Sequence, residues 1–133
     1  MSKPVILCVD DEVIVLNSLK IALKKEFKDT YLYEVAESAD EAMEIIEELH
    51  EDAIDILVIV SDWLMPGLRG DEFLIKVHQK FPKIIKIMLT GQADEEAIER
   101  AREHANLASC LSKPWNGQEL ITTIKSELEK SSS

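Results

Sequence analysis

Residues that could do chemistry follow four of the apolar runs in this sequence. Asp10 and Asp11 stand after the first run, Asp62 after the third, Thr90 after the fourth and Lys113 after the fifth. Short apolar runs bounded by turn-forming residues are typical of buried strands in a parallel sheet. Because ligands bind outside the carboxyl ends of the strands in open α/β sheets, we expect these five residues to share one edge.

The residue types at this edge predict an anion site built around a cation. Three carboxylates a few ångströms apart raise one another's pKa and disfavour folding unless a cation lies among them. Oxygen ligands without sulfur or imidazole favour Mg²⁺, which keeps several of its waters. With Lys113 as a positive charge and Thr90 as a hydroxyl donor, the set suits a phosphoryl group carried by Asp62.

Each of these residues, taken singly, also has a structural interpretation. Asp10 or Asp11 alone would more often be a helix N-cap than a ligand. Thr90 alone is a common turn residue, and Lys113 alone would be a solvated surface lysine. The segment Met65-Pro66-Gly67 alone is only a turn. The separate interpretations do not predict the joint pattern, in which a candidate follows strand after strand.

Five strand-like runs alternate with five amphipathic helical stretches, and this alternation would position the site. The strands are predicted at 4–9, 31–36, 55–61, 84–89 and 107–111. Apolar residues at helical spacing follow each run, and Ser38 and Asn116 are predicted to cap two of the helices. Alternating strands and helices with right-handed crossovers predict a doubly wound α/β fold, a five-stranded parallel sheet with helices on both faces.

The helix predicted at 94–104 differs from the others in its inward face. That face consists mostly of small residues: Ala97, Ile98, Ala101 and Ala105. Such a helix buries little apolar area, so we expect it to be among the less firmly held elements.

Length and composition predict one domain at 1–130, followed by a polar tail at 131–133. The net charge of −11, from 15 basic and 26 acidic residues, argues against a nucleic-acid surface and favours a basic partner or a bound cation. No apolar run is long enough to span a membrane, and no signal peptide is recognisable. Cys8 and Cys110 lie in strand-like runs and are predicted as small buried core residues in a reducing, cytoplasmic setting.

Four motifs together resemble the receiver domain of response regulators in two-component signalling, over residues 3–129. They are Val9-Asp10-Asp11-Glu12, Ser61-Asp62-Trp63-Leu64-Met65-Pro66-Gly67, Leu89-Thr90-Gly91 and Ser112-Lys113-Pro114-Trp115. The resemblance implies a flavodoxin-like sheet of strand order 2-1-3-4-5. It also implies a phosphoprotein of a phosphorelay, with Mg²⁺ as cofactor.

The resemblance further implies which residues bind the phosphoryl group and the metal ion. Asp62 would accept the phosphoryl group from the histidine of a partner kinase. Asp11, Asp62 and the backbone carbonyl of Leu64 would bind Mg²⁺, with Asp10 acting through water. Thr90 and Lys113 would bind the phosphoryl oxygens: this lysine would be aimed at the site by a cis peptide before Pro114.

One position departs from the family. Receivers usually carry Tyr or Phe three residues before the lysine, where the ring swings inward on activation, and this chain has Cys110 there. We therefore expect activation without an aromatic swing. The signal should leave the site through the turn after the fourth strand and the helix predicted at 94–104.

The partners implied by the resemblance are proteins. They are a histidine kinase or phosphotransfer protein, an output domain or effector protein, and in a homodimer a second copy; no direct contact with nucleic acid or membrane is expected. The sequence fits both a stand-alone regulator and the receiver of a longer chain.

Three other functions compete with a phosphorylation switch. One is a receiver-fold docking module that is not phosphorylated. Another is an aspartyl-phosphate phosphohydrolase, but such enzymes typically carry a second Asp two residues after the nucleophile, where this chain has Leu64. The last is an FMN carrier, which the sequence disfavours because Asp10 and Asp11 would repel a phosphate after the first strand. We therefore expect a signalling domain rather than an enzyme.

Overall fold

The computed structural model describes residues 3–65, 67–91, 95–113 and 116–132. Within them, five strands alternate with five helices, and a short 3₁₀ turn follows the first helix. The strands are β1 (Val5–Val9), β2 (Leu32–Ala36), β3 (Ile56–Asp62), β4 (Ile85–Thr90) and β5 (Ser109–Ser112). The helices are α1 (Val13–Phe27), α2 (Ala39–Glu51), α3 (Gly70–Lys80), α4 (Glu95–Ala105) and α5 (Gly117–Ser132).

The five strands form one parallel sheet in the order β2-β1-β3-β4-β5. The predicted fold class and strand order are therefore confirmed. In register, Val9 lies beside Ser61, and Asp62 lies beside Leu89, so neighbouring strands end almost level with one another. The carboxyl ends of all the strands consequently form one edge.

Helices cover both faces of the sheet, because alternate strand residues point to opposite sides. On one face, Leu7, Ile59 and Met88 pack with buried residues of α2, α3 and α4. On the other, Ile6, Val60 and Ile87 pack with buried residues of α1 and α5. The leucines of α1 illustrate the energetics: Leu16, Leu19 and Leu23 are buried, and each contributes roughly 1.5–3 kcal/mol by leaving water.

The predicted helix caps agree with the structure. Ser38 Oγ accepts a hydrogen bond from Glu41 N at 3.1 Å at the start of α2. Asn116 Oδ1 accepts from Gln118 N at 2.8 Å and from Glu119 N at 3.2 Å at the start of α5. These side chains satisfy amide groups that have no partner inside the helix.

Several element boundaries differ slightly from the sequence prediction. Asp62 is the last residue of β3 rather than the residue after it, and β5 starts at Ser109 instead of 107. Helix α5 continues to Ser132 and so includes two residues of the expected polar tail. Cys8 is buried as predicted, but Cys110 is only partly buried, because β5 is an edge strand. No helix among the described residues has the length and apolarity needed to cross a membrane.

Lys86 is a buried residue that the apolar pattern of β4 does not reveal. Its side chain is almost fully enclosed, and Nζ donates to the carbonyl of Ile84 at 2.7 Å, with the carbonyl of Pro82 at 3.5 Å. Burial lowers the pKa of this amine to about 8. The two carbonyls of the preceding turn supply acceptors that make the buried lysine tolerable.

Candidate functional site at the carboxyl edge of the sheet

The structure brings the five predicted site residues together at one edge. Asp10 directly follows β1, Asp62 and Thr90 end β3 and β4, and Lys113 directly follows β5. Asp11 lies in the turn that leads into α1. The residues come from four separate strand ends, as the alternation of strands and helices predicts.

The three carboxylates form a compact cluster. Each of Asp10, Asp11 and Asp62 offers an oxygen atom, and these atoms lie within 4.8 Å of one another. Asp10 and Asp62 are buried whereas Asp11 is exposed, so the cluster faces solvent on one side. Hard oxygen donors with an open side fit a divalent cation such as Mg²⁺, which retains water ligands.

Asp10 itself supports this interpretation. Its Oδ1 accepts a hydrogen bond from Glu12 N at 2.8 Å. Among the described residues, none makes a hydrogen bond to its buried Oδ2. The ammonium group of Lys113, 3.6 Å away, offsets part of the cost of burying this oxygen, and its unused hydrogen-bonding capacity fits the metal ion that the sequence predicts.

The pKa of the Asp10 carboxyl is raised from 3.8 to about 6. Burial is the largest cause, and the hydrogen bond from Glu12 N opposes it. The charges of Asp62 and Asp11 raise the pKa further, while Lys113 lowers it. Asp10 therefore holds its proton more tightly than an exposed aspartate does.

Lys113 supplies the positive charge of the site. Its Nζ lies 2.9 Å from Asp62 Oδ1 and 3.6 Å from Asp10 Oδ2. Burial alone would lower the pKa of Lys113, but the hydrogen bond and charge of Asp62, with Asp10, outweigh it and leave the pKa raised. Lys113 N also donates to the carbonyl of Thr90 at 2.8 Å, which joins the ends of β4 and β5.

An open cleft of about 810 Å³ gives access to Asp62. Residues from the turns after β1, β3, β4 and β5 line it: Asp11, Glu12, Asp62, Trp63, Leu64, Met65, Gly91 and Lys113. Thr90 is 8% exposed at the end of β4, and Leu64 is 65% exposed. The cleft opens to solvent beside Asp62, whose side chain is 6% exposed.

The first residue of α3 packs directly against the backbone at Asp62. Gly70 N donates to the carbonyl of Trp63 at 2.7 Å. A Cβ atom added at Gly70 would lie 2.2 Å from the backbone oxygen of Asp62 and 2.8 Å from Trp63 Cα, so only glycine fits. Close contact between α3 and β3 therefore fixes the backbone around Asp62.

Asp71 and Arg100 lie near the site, although their sequence context does not mark them as site residues. Asp71, the second residue of α3, is fully buried, and its Oδ1 accepts from Trp63 Nε1 at 3.1 Å. Its Oδ2 accepts from Arg100 Nη2 of α4, also at 3.1 Å. From the sequence, Asp71 is only an acidic residue in the first turn of a helix, where its charge interacts favourably with the helix dipole. That position does not indicate its contacts with Trp63 and Arg100.

Cys110 stands beside Met88 in the register of β5 and β4. Burial raises the pKa of its thiol, against the opposing charge of Arg102.

The predicted cis peptide before Pro114 lies outside the described residues, as do the predicted turn residue Pro66 and the start of the predicted helix at Asp94. The described part of α4 begins at Glu95.

Comparison with known proteins gives one consistent result. The sequence profile of the response regulator receiver domain matches residues 6–125. The chain is 34% identical, over 93% of its length, to the hydrogenase transcriptional regulatory protein HoxA of Cupriavidus necator. It is 31% identical over its whole length to the transcriptional regulatory protein CpxR homolog of Haemophilus influenzae. The chain spans only 24% and 53% of those two proteins.

A solved structure extends the likeness to three dimensions. The crystal structure of a CheY-like response regulator receiver domain protein from Methanospirillum hungatei matches with a TM-score of 0.86 at 31% identity. The match covers 98% of both chains.

Proposed function

Since this chain belongs to the response-regulator receiver family, we propose that it is a phosphorylation-controlled switch with Asp62 as its phosphoryl acceptor. The observation that carries the proposal is the pairing of Asp62 with Lys113 at 2.9 Å, at the base of an open cleft. A carboxylate held by an ammonium group and reachable from solvent is placed to act as a nucleophile.

The phosphoryl group would need more positive charge than Lys113 supplies. It brings roughly two negative charges to an edge that already holds three carboxylates. Mg²⁺ would be held there by Asp11, Asp62 and the backbone carbonyl of Leu64, with Asp10 acting through water. The bound ion would supply charge neutralisation for the phosphoryl oxygens.

In the proposed transfer, a carboxylate oxygen of Asp62 forms a bond to phosphorus as the bond between phosphorus and the donor's leaving group breaks. Lys113, which contacts Asp62 Oδ1, would then bind a phosphoryl oxygen, and the hydroxyl of Thr90 would donate to another. These two residues end neighbouring strands, and the backbone of Lys113 is hydrogen-bonded to Thr90. Phosphorylation would therefore pull on the turns after β4 and β5 together.

The domain boundaries and partners form part of the same proposal. We place the receiver at 1–130 and expect it to receive phosphate from a histidine kinase or a phosphotransfer protein. HoxA and the CpxR homolog are transcriptional regulatory proteins. By analogy, this receiver would control an effector protein or an output domain, either as a monomer or as a homodimer.

Incubation with acetyl phosphate, followed by intact mass measurement, tests the acceptor. The parent protein should gain one phosphoryl group when Mg²⁺ is present and none when a chelator replaces it. Asp62→Asn should gain none, whereas Asp52→Asn, a change at an exposed acid after α2, should behave as the parent does.

Two results would contradict the assignment. One is labelling that persists in Asp62→Asn and maps to another residue. The other is a folded parent protein that binds Mg²⁺ yet takes no phosphoryl group from acetyl phosphate or from a phosphohistidine donor. The second result would favour the unphosphorylated docking module.

A further inference from the structure

We infer that Asp71 is a positioning residue through which α4 holds the loop that follows the phosphoryl acceptor. The link runs from Arg100 of α4, through the buried carboxylate of Asp71 in α3, to the indole of Trp63. The inference rests on the proposed function of Asp62, because it concerns how that site communicates with the rest of the domain.

On the acceptor side, the link begins one residue after Asp62. Trp63 is fixed at three points: its backbone N–H donates to Leu89 O at 2.9 Å, its carbonyl accepts from Gly70 N at 2.7 Å, and its indole N–H donates to Asp71 Oδ1 at 3.1 Å. The first two bonds hold the backbone to β4 and α3. The third makes the orientation of the Trp63 ring depend on where the Asp71 carboxylate points.

On the α4 side, the same carboxylate is held by an arginine. Arg100 Nη2 lies 3.1 Å from Asp71 Oδ2, while the Asp71 side chain has no exposure to solvent. Hydrogen bonds between ionised groups are short and strong. Each oxygen of Asp71 therefore accepts one hydrogen bond, Oδ1 from Trp63 and Oδ2 from Arg100.

A second arginine does not duplicate this role. Arg69 Nε lies 3.7 Å from Asp71 Oδ1, farther than Arg100 is from Oδ2, and donates its hydrogen bond to Glu72 Oε1 at 3.1 Å. Its guanidinium lies over the Trp63 ring, 5.9 Å from the centroid. Arg69 thus covers the indole from outside, whereas Arg100 connects it to another helix.

Because α4 buries little apolar area, the ion pair between Arg100 and Asp71 matters more for its attachment. The buried residues of the helix are alanines, at positions 97, 101 and 105, and these bury little area. A single ion pair then accounts for a larger part of the attachment of α4 than it would in a leucine-rich helix. Because coupling between two sites is reciprocal, a change in the acceptor loop and a change in α4 should each shift the other.

The test compares Arg100→Gln with Arg102→Gln. Arg102 is the matched control because it lies on the same helix, is 57% exposed and pairs with Glu99 of the same helix. The first readout is the ¹⁵N–¹H signal of the Trp63 indole in metal-free protein, assigned with Trp115→Phe. Arg100→Gln should displace the signal and speed its hydrogen exchange about fivefold; Arg102→Gln should leave it as in the parent.

A second readout measures the consequence for the acceptor. The rate of labelling by acetyl phosphate with Mg²⁺ should fall about fivefold in Arg100→Gln and recover in Arg100→Lys, which keeps the charge. Asp71→Asn should resemble Arg100→Gln. If Asp71→Asn does not fold, the Arg100 variants still decide the question, because Arg100 is 43% exposed.

An indole signal that is indifferent to Arg100→Gln, or displaced equally by Arg102→Gln, would overturn the inference. An unlabelled parent protein would overturn the proposed function of Asp62 instead. The indole readout needs neither Mg²⁺ nor phosphate, so the two failures are distinguishable.

Discussion

Lys113 Nζ lies 2.9 Å from Asp62 Oδ1, so the proposed phosphoryl acceptor and its counterion are in direct contact. The same ammonium group lies 3.6 Å from Asp10 Oδ2. A divalent cation bound by this cluster would share both carboxylates with Lys113. The lysine should therefore oppose metal binding while it supports phosphate binding.

Lys113→Gln should accordingly bind Mg²⁺ about tenfold more tightly, because removing a positive charge from the cluster strengthens its attraction for a cation. The fluorescence of Trp63, which lines the cleft, can follow the titration. Lys80→Gln is the control, because Lys80 pairs with Glu47 on the surface, and should leave the dissociation constant unchanged. Weaker or unaltered binding in Lys113→Gln would disprove the competition.

Asp10→Asn should stabilise the metal-free protein near neutral pH, by roughly 2 kcal/mol. The pKa of Asp10 is about 6 in the folded protein and 3.8 ordinarily, so the folded state binds its proton more tightly. At pH 7 the ionised carboxylate therefore destabilises the fold. The cost declines as the pH falls through about 6 and is gone below 3.8.

Urea unfolding of Asp10→Asn and of the parent, in chelator at several pH values, measures this difference. The advantage of the variant should shrink steadily from pH 7 towards pH 4. Asp52→Asn, at an exposed acid, should change stability by no more than about 0.5 kcal/mol. An advantage that is constant with pH would mean that ionisation of Asp10 is not its cause.

Gly70→Ala should destabilise the domain by about 1–3 kcal/mol, because the new methyl group would overlap the backbone of Asp62 and neither backbone can yield easily. Gly91→Ala is the control: the nearest atom to a Cβ there is 3.9 Å away, in ordinary contact. Denaturant midpoints for the two variants give the comparison. Equal midpoints would show that α3 can move away from β3 without cost.

Activation should alter α4 and β5 without the inward swing of an aromatic ring. Cys110 is too small to fill space vacated by Thr90, and the fully buried residues of α4 are alanines. Amide exchange with and without beryllium fluoride and Mg²⁺ should therefore change mainly in 90–104 and 107–115. Asp62→Asn should show no such change. Effects confined to α1 or α2 would refute this route.

The sequence predicts the sheet and the main site because both depend on local patterns. Apolar runs define the strands, and in a parallel sheet with right-handed crossovers each strand ends at the same edge. Residues that follow the apolar runs are therefore predicted to lie at that edge, and these include Asp10, Asp62, Thr90 and Lys113. The family's motifs added the strand order, which the structure confirms.

The link through Asp71 was not predictable in this way. Asp71 and Arg100 are far apart in sequence, and their contact depends on the rotation of two helices that no periodicity fixes. The burial of Lys86 is not predictable from the sequence, because its Nζ donates to backbone carbonyls and every residue type carries a backbone carbonyl. The partial exposure of Cys110 follows from the edge position of β5, a property of the assembled sheet.

The site residues lie at strand ends that are spread along the chain, so they are synthesised at different times. Chains emerge from the ribosome with the amino terminus first. The three carboxylates are therefore synthesised well before Lys113, the last member. A nascent or truncated chain that stops before β5 would carry the proposed acceptor without its counterion. We expect such fragments to be phosphorylated more slowly than the complete domain.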